Sequence, residues 1–219
     1  MYKACIFDLD GTLTDTLESL TYSVNGTLRE LGFGEITSEQ CKSFVGNGAR
    51  YLIEQALIAS GDEKLSRIEE GMQAYGRIFK ENCTYKVAPY EGILELLETL
   101  KTSGVKLAVL SNKPHLQTID VVKTFFGEDT FIYVQGQKEG IPRKPDPTAA
   151  LRIAQMMGVM PQECVYIGDS EVDVQMGNAA GMESVGVTWG FRTREVLEQN
   201  DAKHTIDVPG QLLEIVNQI

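Results

Sequence analysis

Short apolar runs alternate with stretches of helical periodicity along most of this chain. The runs are residues 4–7 (ACIF), 105–110 (VKLAVL), 131–134 (FIYV), 165–167 (VYI) and 184–187 with Thr188. Between them, Ile93, Leu94, Leu96, Leu97 and Leu100 recur at helical spacing, as do Leu151, Ile153, Ala154 and Met157. Apolar strands separated by single helices predict a parallel sheet covered on both faces. Gly104, Gly158 and Gly181 follow three of the helices, where a helix end favours glycine. Residues 211–219, with Leu212, Leu213, Ile215, Val216 and Ile219 on one stripe, predict a closing helix.

The alternation breaks after the first run. About 75 residues, 15–89, show helical patterns and no convincing strand, far more than one crossover helix needs. Leu17, Leu20, Val24, Leu28 and Leu31 form one stripe. Tyr51, Leu52, Ala56 and Leu57 begin a second, and Ile68, Met72, Tyr75 and Phe79 mark a third. The expected organisation is an α/β domain from residues 1–14 and 90–219, with 15–89 inserted as a helical subdomain. Asp15–Thr16 and residues 86–89 would be its hinges.

At 219 residues the chain can hold one large domain with such an insertion. A net charge of −11 disfavours nucleic acid and anionic membranes as partners, since both need basic surface. An anionic small molecule remains compatible, because a few local cations can reverse the field inside a cleft. The four cysteines form no C-x-x-C pair and the two histidines stand apart, so zinc-ligand spacing is absent. Reduced thiols, no leader pattern and no long apolar run suggest a cytoplasmic protein. The oligomeric state is left open between monomer and homodimer.

Ligands of an open α/β sheet bind beyond the carboxyl ends of its strands, so the residues that follow each run are the ones to collect. The first run ends in Asp8-Leu9-Asp10-Gly11-Thr12. At a strand end residues i and i+2 point to one side, and two carboxylates held together need a cation or a proton. Ser111, Asn112 and Lys113 follow the second run. Arg143, Lys144 and Pro145 lie in the loop after the third, and Gly168, Asp169, Ser170 and Asp173 follow the fourth. A carboxylate cluster without His or Cys suits a hard cation, Mg²⁺ by default. A lysine and a hydroxyl facing it suit a phosphoryl group.

These residues resemble those of the haloacid dehalogenase-like (HAD) hydrolases. The first motif is similar to Asp8–Thr12, the second to Ser111, the third to Lys144-Pro145, and the fourth to Gly168-Asp169-Ser170 with Asp173. The resemblance implies a Rossmann-like core and an inserted helical cap of the C1 type. It implies that Asp8 is a nucleophile forming an aspartyl-phosphate and that Asp10 is the general acid and base. Ser111 and Asn112 would hold the phosphoryl oxygens, and Lys144 would neutralise nucleophile and phosphate. Mg²⁺ would be held by Asp8, the Asp10 carbonyl and Asp169, with Asp173 as a further ligand, direct or through water.

Within the family the chain is most similar to phosphoglycolate phosphatases, through the 111–114 stretch (SNKP), the 45–48 loop (VGNG) and the 187–191 stretch (VTWGF). The resemblance implies a small anionic phosphoester as substrate, 2-phosphoglycolate first. Pyrophosphate, a nucleotide or a sugar phosphate are the alternatives, as is a β-phosphoglucomutase-like reaction. Thr12 favours hydrolysis, since valine is usual there in the similar mutases. Gly46, Asn47, Gly48 and Arg50 are the expected specificity residues of the cap, with Thr12, Asn112 and Lys113 as core contacts. Lys113 is equally compatible with the surface. His115, Arg192 and Arg194 are expected to face solvent, and Trp189, Met156 and Met157 to serve packing.

Overall fold

The computed structural model describes residues 1–217. The chain runs through β1 (Ala4–Phe7) and β2 (Thr14–Asp15) into α1 (Leu17–Glu30), α2 (Ser38–Phe44), α3 (Ala49–Ala59) and α4 (Ile68–Asn82). It returns through β3 (Ala88–Pro89) to α5 (Ile93–Thr102), β4 (Lys106–Pro114), α6 (His115–Phe126), β5 (Tyr133–Gln137) and α7 (Thr148–Met156). It ends with β6 (Cys164–Gly168), α8 (Glu171–Ala179), β7 (Glu183–Val187), α9 (Arg194–Gln199), β8 (His204–Ile206) and α10 (Leu212–Asn217).

Six strands form one parallel sheet in the order β5-β4-β1-β6-β7-β8. The chain builds outward from β1 on one side, then crosses to build outward on the other. This is the Rossmann-like order, and it puts a topological switch point beside β1. Alternation along each strand separates two apolar layers. Cys5 and Phe7 join Leu107, Val109, Val165 and Ile167 in one layer, together with α5 and α6 residues. Ala4 and Ile6 join Ala108, Leu110, Cys164 and Tyr166 in the other, against Ala150, Ile153 and Ala154 of α7. The four cysteines are all buried and free.

The helices α1–α4 lie between β2 and β3, which pair antiparallel through Thr14↔Pro89 and Asp15↔Ala88. The two chain passages joining the helical segment to the sheet are thus tied to each other. Leu20, Val24, Leu28, Leu52, Tyr75 and Phe79 of that segment are buried in one continuous apolar cluster with Cys5 and Phe7 of β1.

Several expectations shift. The third run appears as β5 two residues later than its apolar pattern. β2, β3 and the half-polar β8 are too short to show a pattern. α2 was not marked by an apolar stripe, yet Thr37 and Gln40 at its start form a reciprocal capping box, a signal legible in the sequence. Leu94 (56% exposed) and Leu151 (38%) face solvent, although both fit their helical stripes. The closing helix is present over Leu212–Asn217, and Ile219 of its predicted stripe lies outside the described residues.

Candidate active site

All four motif segments meet at the carboxyl edge of the sheet. β1 and β6 are neighbours, so Asp8 and Asp169 emerge side by side, while β4 delivers Ser111–Lys113 from the other flank. Lys144 arrives from the loop after β5. Its Nζ lies 2.9 Å from Asp8 Oδ2 and 2.7 Å from Asp173 Oδ1. Asp10 has a different partner: Lys113 Nζ, 3.0 Å from its Oδ1 and only 1% exposed along its side chain. The two carboxylates of the Asp-x-Asp motif are thereby each paired to a separate buried lysine. Lys113 belongs to the site, and its ammonium also lies over the Phe79 ring, 4.6 Å from the centroid.

Four buried or nearly buried carboxylates therefore face two ammonium groups, an excess of two negative charges. The electrostatics show that excess. Burial pushes the Asp8 carboxyl up to about 7; the Asp173 and Asp10 charges add to the rise and Lys144 opposes it. Burial, then the charges of Asp173 and Asp8, hold Asp169 well above the usual carboxylate range. Burial alone would depress the Lys144 ammonium, but Asp173 and Asp8 carry it well above its ordinary value. One carboxylate oxygen each from Asp8, Asp169 and Asp173 lies within 4.8 Å of the others. An all-oxygen donor set with two charges to balance fits Mg²⁺.

The three carboxylates are not equivalent. Asp173 spends both oxygens on protein donors: Oδ1 on Lys144 and the Tyr166 hydroxyl, Oδ2 on the Ser170 amide and hydroxyl. It fits an orienter of Lys144 better than a direct metal ligand. Asp169 accepts one bond per oxygen, from the Thr12 hydroxyl (3.2 Å) and the Phe191 amide (2.8 Å). The backbone presses against it from two sides. A Cβ on Gly11 would lie 2.3 Å from Asp169 Oδ2, and one on Gly190 would lie 2.4 Å from Asp169 Cβ. Only glycine lets both strands of chain approach so closely.

A cavity of about 40 Å³ sits above this edge. Its core side is lined by Asp8, Asp10, Ser111, Asn112, Lys113, Asp169, Ser170 and Arg192. Its other side is made by Leu20, Val45, Gly46, Gly48, Ala49, Leu52, Tyr75 and Phe79 of the helical segment. Gly46 and Gly48 thus border the cavity. Asn47 and Arg50 do not. They line an outer groove with Arg143 and, at its inner end, Lys144, and Arg50 is paired to Glu54 (3.1 Å) and Glu69 (2.7 Å). Thr12 is fully buried and outside the lining; its hydroxyl positions Asp169.

Four residues depart from the solvent or packing role expected of them, Met156 by facing solvent at 62% exposure while Met157 packs. Arg192 is only 14% exposed along its side chain, and binds Glu171 and the carbonyls of Lys42 and Val45. His115 is half-buried, with Nδ1 accepting the Gly136 amide at 3.1 Å. Trp189 packs against the core but also donates to the Thr12 carbonyl at 3.0 Å. Tyr166 was read only as part of an apolar run. It bonds the Leu110 carbonyl and Asp173 beneath Lys144, and its hydroxyl in the middle of a buried strand was the available signal.

No helix among the described residues is long and apolar enough to cross a membrane. The profile of the haloacid dehalogenase-like hydrolases matches residues 5–187. A phosphoglycolate phosphatase of Pseudomonas putida is 33% identical over 208 residues, covering 94% of this chain and 76% of the relative. A phosphoglycolate phosphatase of Neisseria meningitidis is 30% identical over 219 residues, covering 99% of this chain and 93% of the relative. A crystal structure of a candidate phosphoglycolate phosphatase from Lactobacillus delbrueckii subsp. bulgaricus superposes with a TM-score of 0.90 at 32% identity, covering 98% of each chain. With its sheet order, its strand-end carboxylates and these relatives in agreement, the chain belongs to the haloacid dehalogenase-like hydrolases.

Proposed function

We propose that this hydrolase cleaves a small phosphomonoester, 2-phosphoglycolate being the best candidate, through an aspartyl-phosphate on Asp8. The observation that carries the reading is that Asp8, paired to Lys144, and Asp10, paired to Lys113, lie together at the floor of one small cavity. A nucleophile and a proton carrier two residues apart are each held by their own cation. The relatives named phosphoglycolate phosphatase support the substrate class.

In this reading an Asp8 carboxylate oxygen attacks phosphorus. The ester P–O bond breaks, and Asp10 gives its proton to the departing alcohol oxygen. Asp10 then takes a proton from water as that water attacks the phosphorus, and the P–O bond to Asp8 breaks to restore the carboxylate. Lys144, fixed by Asp173, neutralises Asp8 and the phosphoryl oxygens, while the Ser111 hydroxyl and the Asn112 backbone orient them. Thr12 keeps Asp169 in place, which a valine at that position could not do by hydrogen bonding. The Asp8 and Asp169 carboxylates with the Asp10 carbonyl would hold Mg²⁺, which supplies charge neutralisation for the phosphoryl group. Residues 15–89 act as a cap over the site, moving about the paired passages at β2 and β3.

Purified protein with Mg²⁺ should release phosphate from 2-phosphoglycolate, and Asp8→Asn should abolish release. Full activity in that variant overturns the nucleophile assignment. A panel with pyrophosphate, a nucleoside monophosphate and a sugar phosphate ranks the substrates. Conversion of glucose 1-phosphate to glucose 6-phosphate would mark a mutase instead.

A further inference from the structure

Three segments of the core reach up to four carbonyls of the helical segment, three of them successive. Arg192, after β7, donates through Nη2 to the Val45 carbonyl (2.7 Å) and through Nη1 to that of Lys42 (3.1 Å). Asn112, near the end of β4, donates to the Gly46 carbonyl (2.9 Å). Arg143, from the loop before α7, donates to the Asn47 carbonyl (3.0 Å). Each donor comes from a different place in the sheet, and every acceptor is main chain, so the grip does not depend on cap side chains.

The donors are themselves anchored. Arg192 Nε is held by Glu171 at 2.9 Å. The Asn112 carboxamide is clamped to the Lys144 backbone, accepting its amide at 3.0 Å and donating to its carbonyl at 3.2 Å. Arg143 passes close to Gly48, where a Cβ would sit 2.7 Å from its Nη1. Two of the gripped residues, Val45 and Gly46, line the cavity from above, and Asn47, held by Arg143, joins them to Gly48, which lines it too. Hydrogen bonds from guanidinium to carbonyl are charge-assisted, and those of Arg192 are sheltered from water.

We infer that this set of donors is a latch that fixes the height of the 45–48 roof above Asp8. On the phosphatase reading, Arg192 and Arg143 are then positioning residues that limit the size of the leaving group. Opening the latch admits bulkier phosphoesters without adding any contact to the small one. Arg192 carries the larger share, because it makes two bonds and is nearly buried, whereas Arg143 makes one from an exposed position.

The test compares wild type, Arg192→Met and Arg143→Met by two readouts. The first is the ratio of kcat/KM for glucose 6-phosphate to that for 2-phosphoglycolate. It should rise about tenfold in Arg192→Met and about threefold in Arg143→Met, the scale of losing one or two hydrogen bonds. The second is amide hydrogen exchange across residues 42–48, which should accelerate by a similar factor in each variant. Arg192→Lys, keeping a cation and fewer donors, should fall between wild type and Arg192→Met. An unchanged ratio, or equal loss on both esters with unchanged exchange, overturns the latch. If wild type hydrolyses no phosphoester, the phosphatase reading fails and the exchange data alone decide the latch. If Arg192→Met does not fold, the exposed Arg143→Met decides it by the same measures.

Discussion

The two sides of the cavity are built on opposite terms. The sheet edge supplies every carboxylate and every cation that lines it, namely Asp8, Asp10, Asp169, Lys113 and Arg192. The helical segment supplies Leu20, Val45, Leu52, Tyr75 and Phe79 with two glycines and an alanine, and contributes no charge. Charged groups that must keep their spacing sit on strand ends, where the hydrogen-bonded ladder and two apolar layers fix the backbone. The surface that faces them across the cavity is apolar and main chain. Chemistry therefore belongs to the edge and shape to the helices. Substitutions should divide the same way: kcat from the edge carboxylates and lysines, KM and selectivity from the helical wall and the arginines that hold it.

The sharpest way to break that division is to move the edge slightly without removing a functional group. Gly190→Ala does this, because its new Cβ would meet Asp169 Cβ at 2.4 Å and the Gly11 carbonyl at 2.3 Å. Asp169 must shift, and misplacement on this scale should lower kcat about 100-fold with little change in KM. Steady-state kinetics with saturating Mg²⁺ check it. A Gly190→Ala enzyme with normal kcat would mean that the edge tolerates the looseness assigned here only to the helices.

The helical wall should answer more softly. Phe79 covers the Lys113 ammonium and stacks on Tyr75 with ring centroids 5.0 Å apart. Phe79→Leu keeps an apolar wall but removes the ring face, so kcat/KM should fall about tenfold, mostly through KM. A loss carried by kcat instead would show that the ring acts on the Asp10–Lys113 pair itself, and the boundary between the two sides would then run through Lys113.

The same contrast explains what the sequence revealed. The sheet edge was legible because a strand end places its next residues predictably. Asp8, Asp10, Ser111, Lys144 and Asp169 converge where the alternation of runs and helices puts them. Asp173 was legible in position, while its full set of protein donors was not. Pairings across long separations were also hidden. Lys113 and Asp10 are 103 residues apart, and no local pattern distinguishes a lysine that reaches a carboxylate from one that reaches water. Arg192 was hidden for the same reason, 147 residues from the Val45 carbonyl it holds. The face of the helical loop was the least legible. Flanking glycines show that the chain can turn at 46–48, but the direction of Asn47 and Arg50 depends on how α3 packs.

A smaller effect tests whether the ordered polar structure of the sheet side extends beyond the site. Both histidines of the chain lie outside residues 15–89. Burial, with Lys138 adding, holds His115 below its ordinary value, and the neutral ring accepts the Gly136 amide. The unfolded chain takes up this proton first, at about pH 6.5. The contribution of His115 to stability is therefore complete above that pH and is lost as pH falls toward the lower native value. Thermal melts of wild type and His115→Asn between pH 7.5 and 5 should show a gap that narrows on acidification. A gap constant with pH would remove His115 from the account.

The smallest effect is expected where the helical segment carries charge on its outside. Arg50 was placed by sequence among the specificity residues, yet its guanidinium is engaged by Glu54 and Glu69 on a half-exposed surface beside a groove that excludes Asp8. Exposed pairs of this kind are screened by water and salt and contribute little. Arg50→Ala should therefore leave kcat/KM for 2-phosphoglycolate within about twofold of wild type, the scale of a surface pair. A tenfold loss confined to carboxylate-bearing esters would bring Arg50 into the cavity in the working enzyme. The helical side would then supply charge as well as shape, and the contrast with the sheet edge would be one of resting geometry alone.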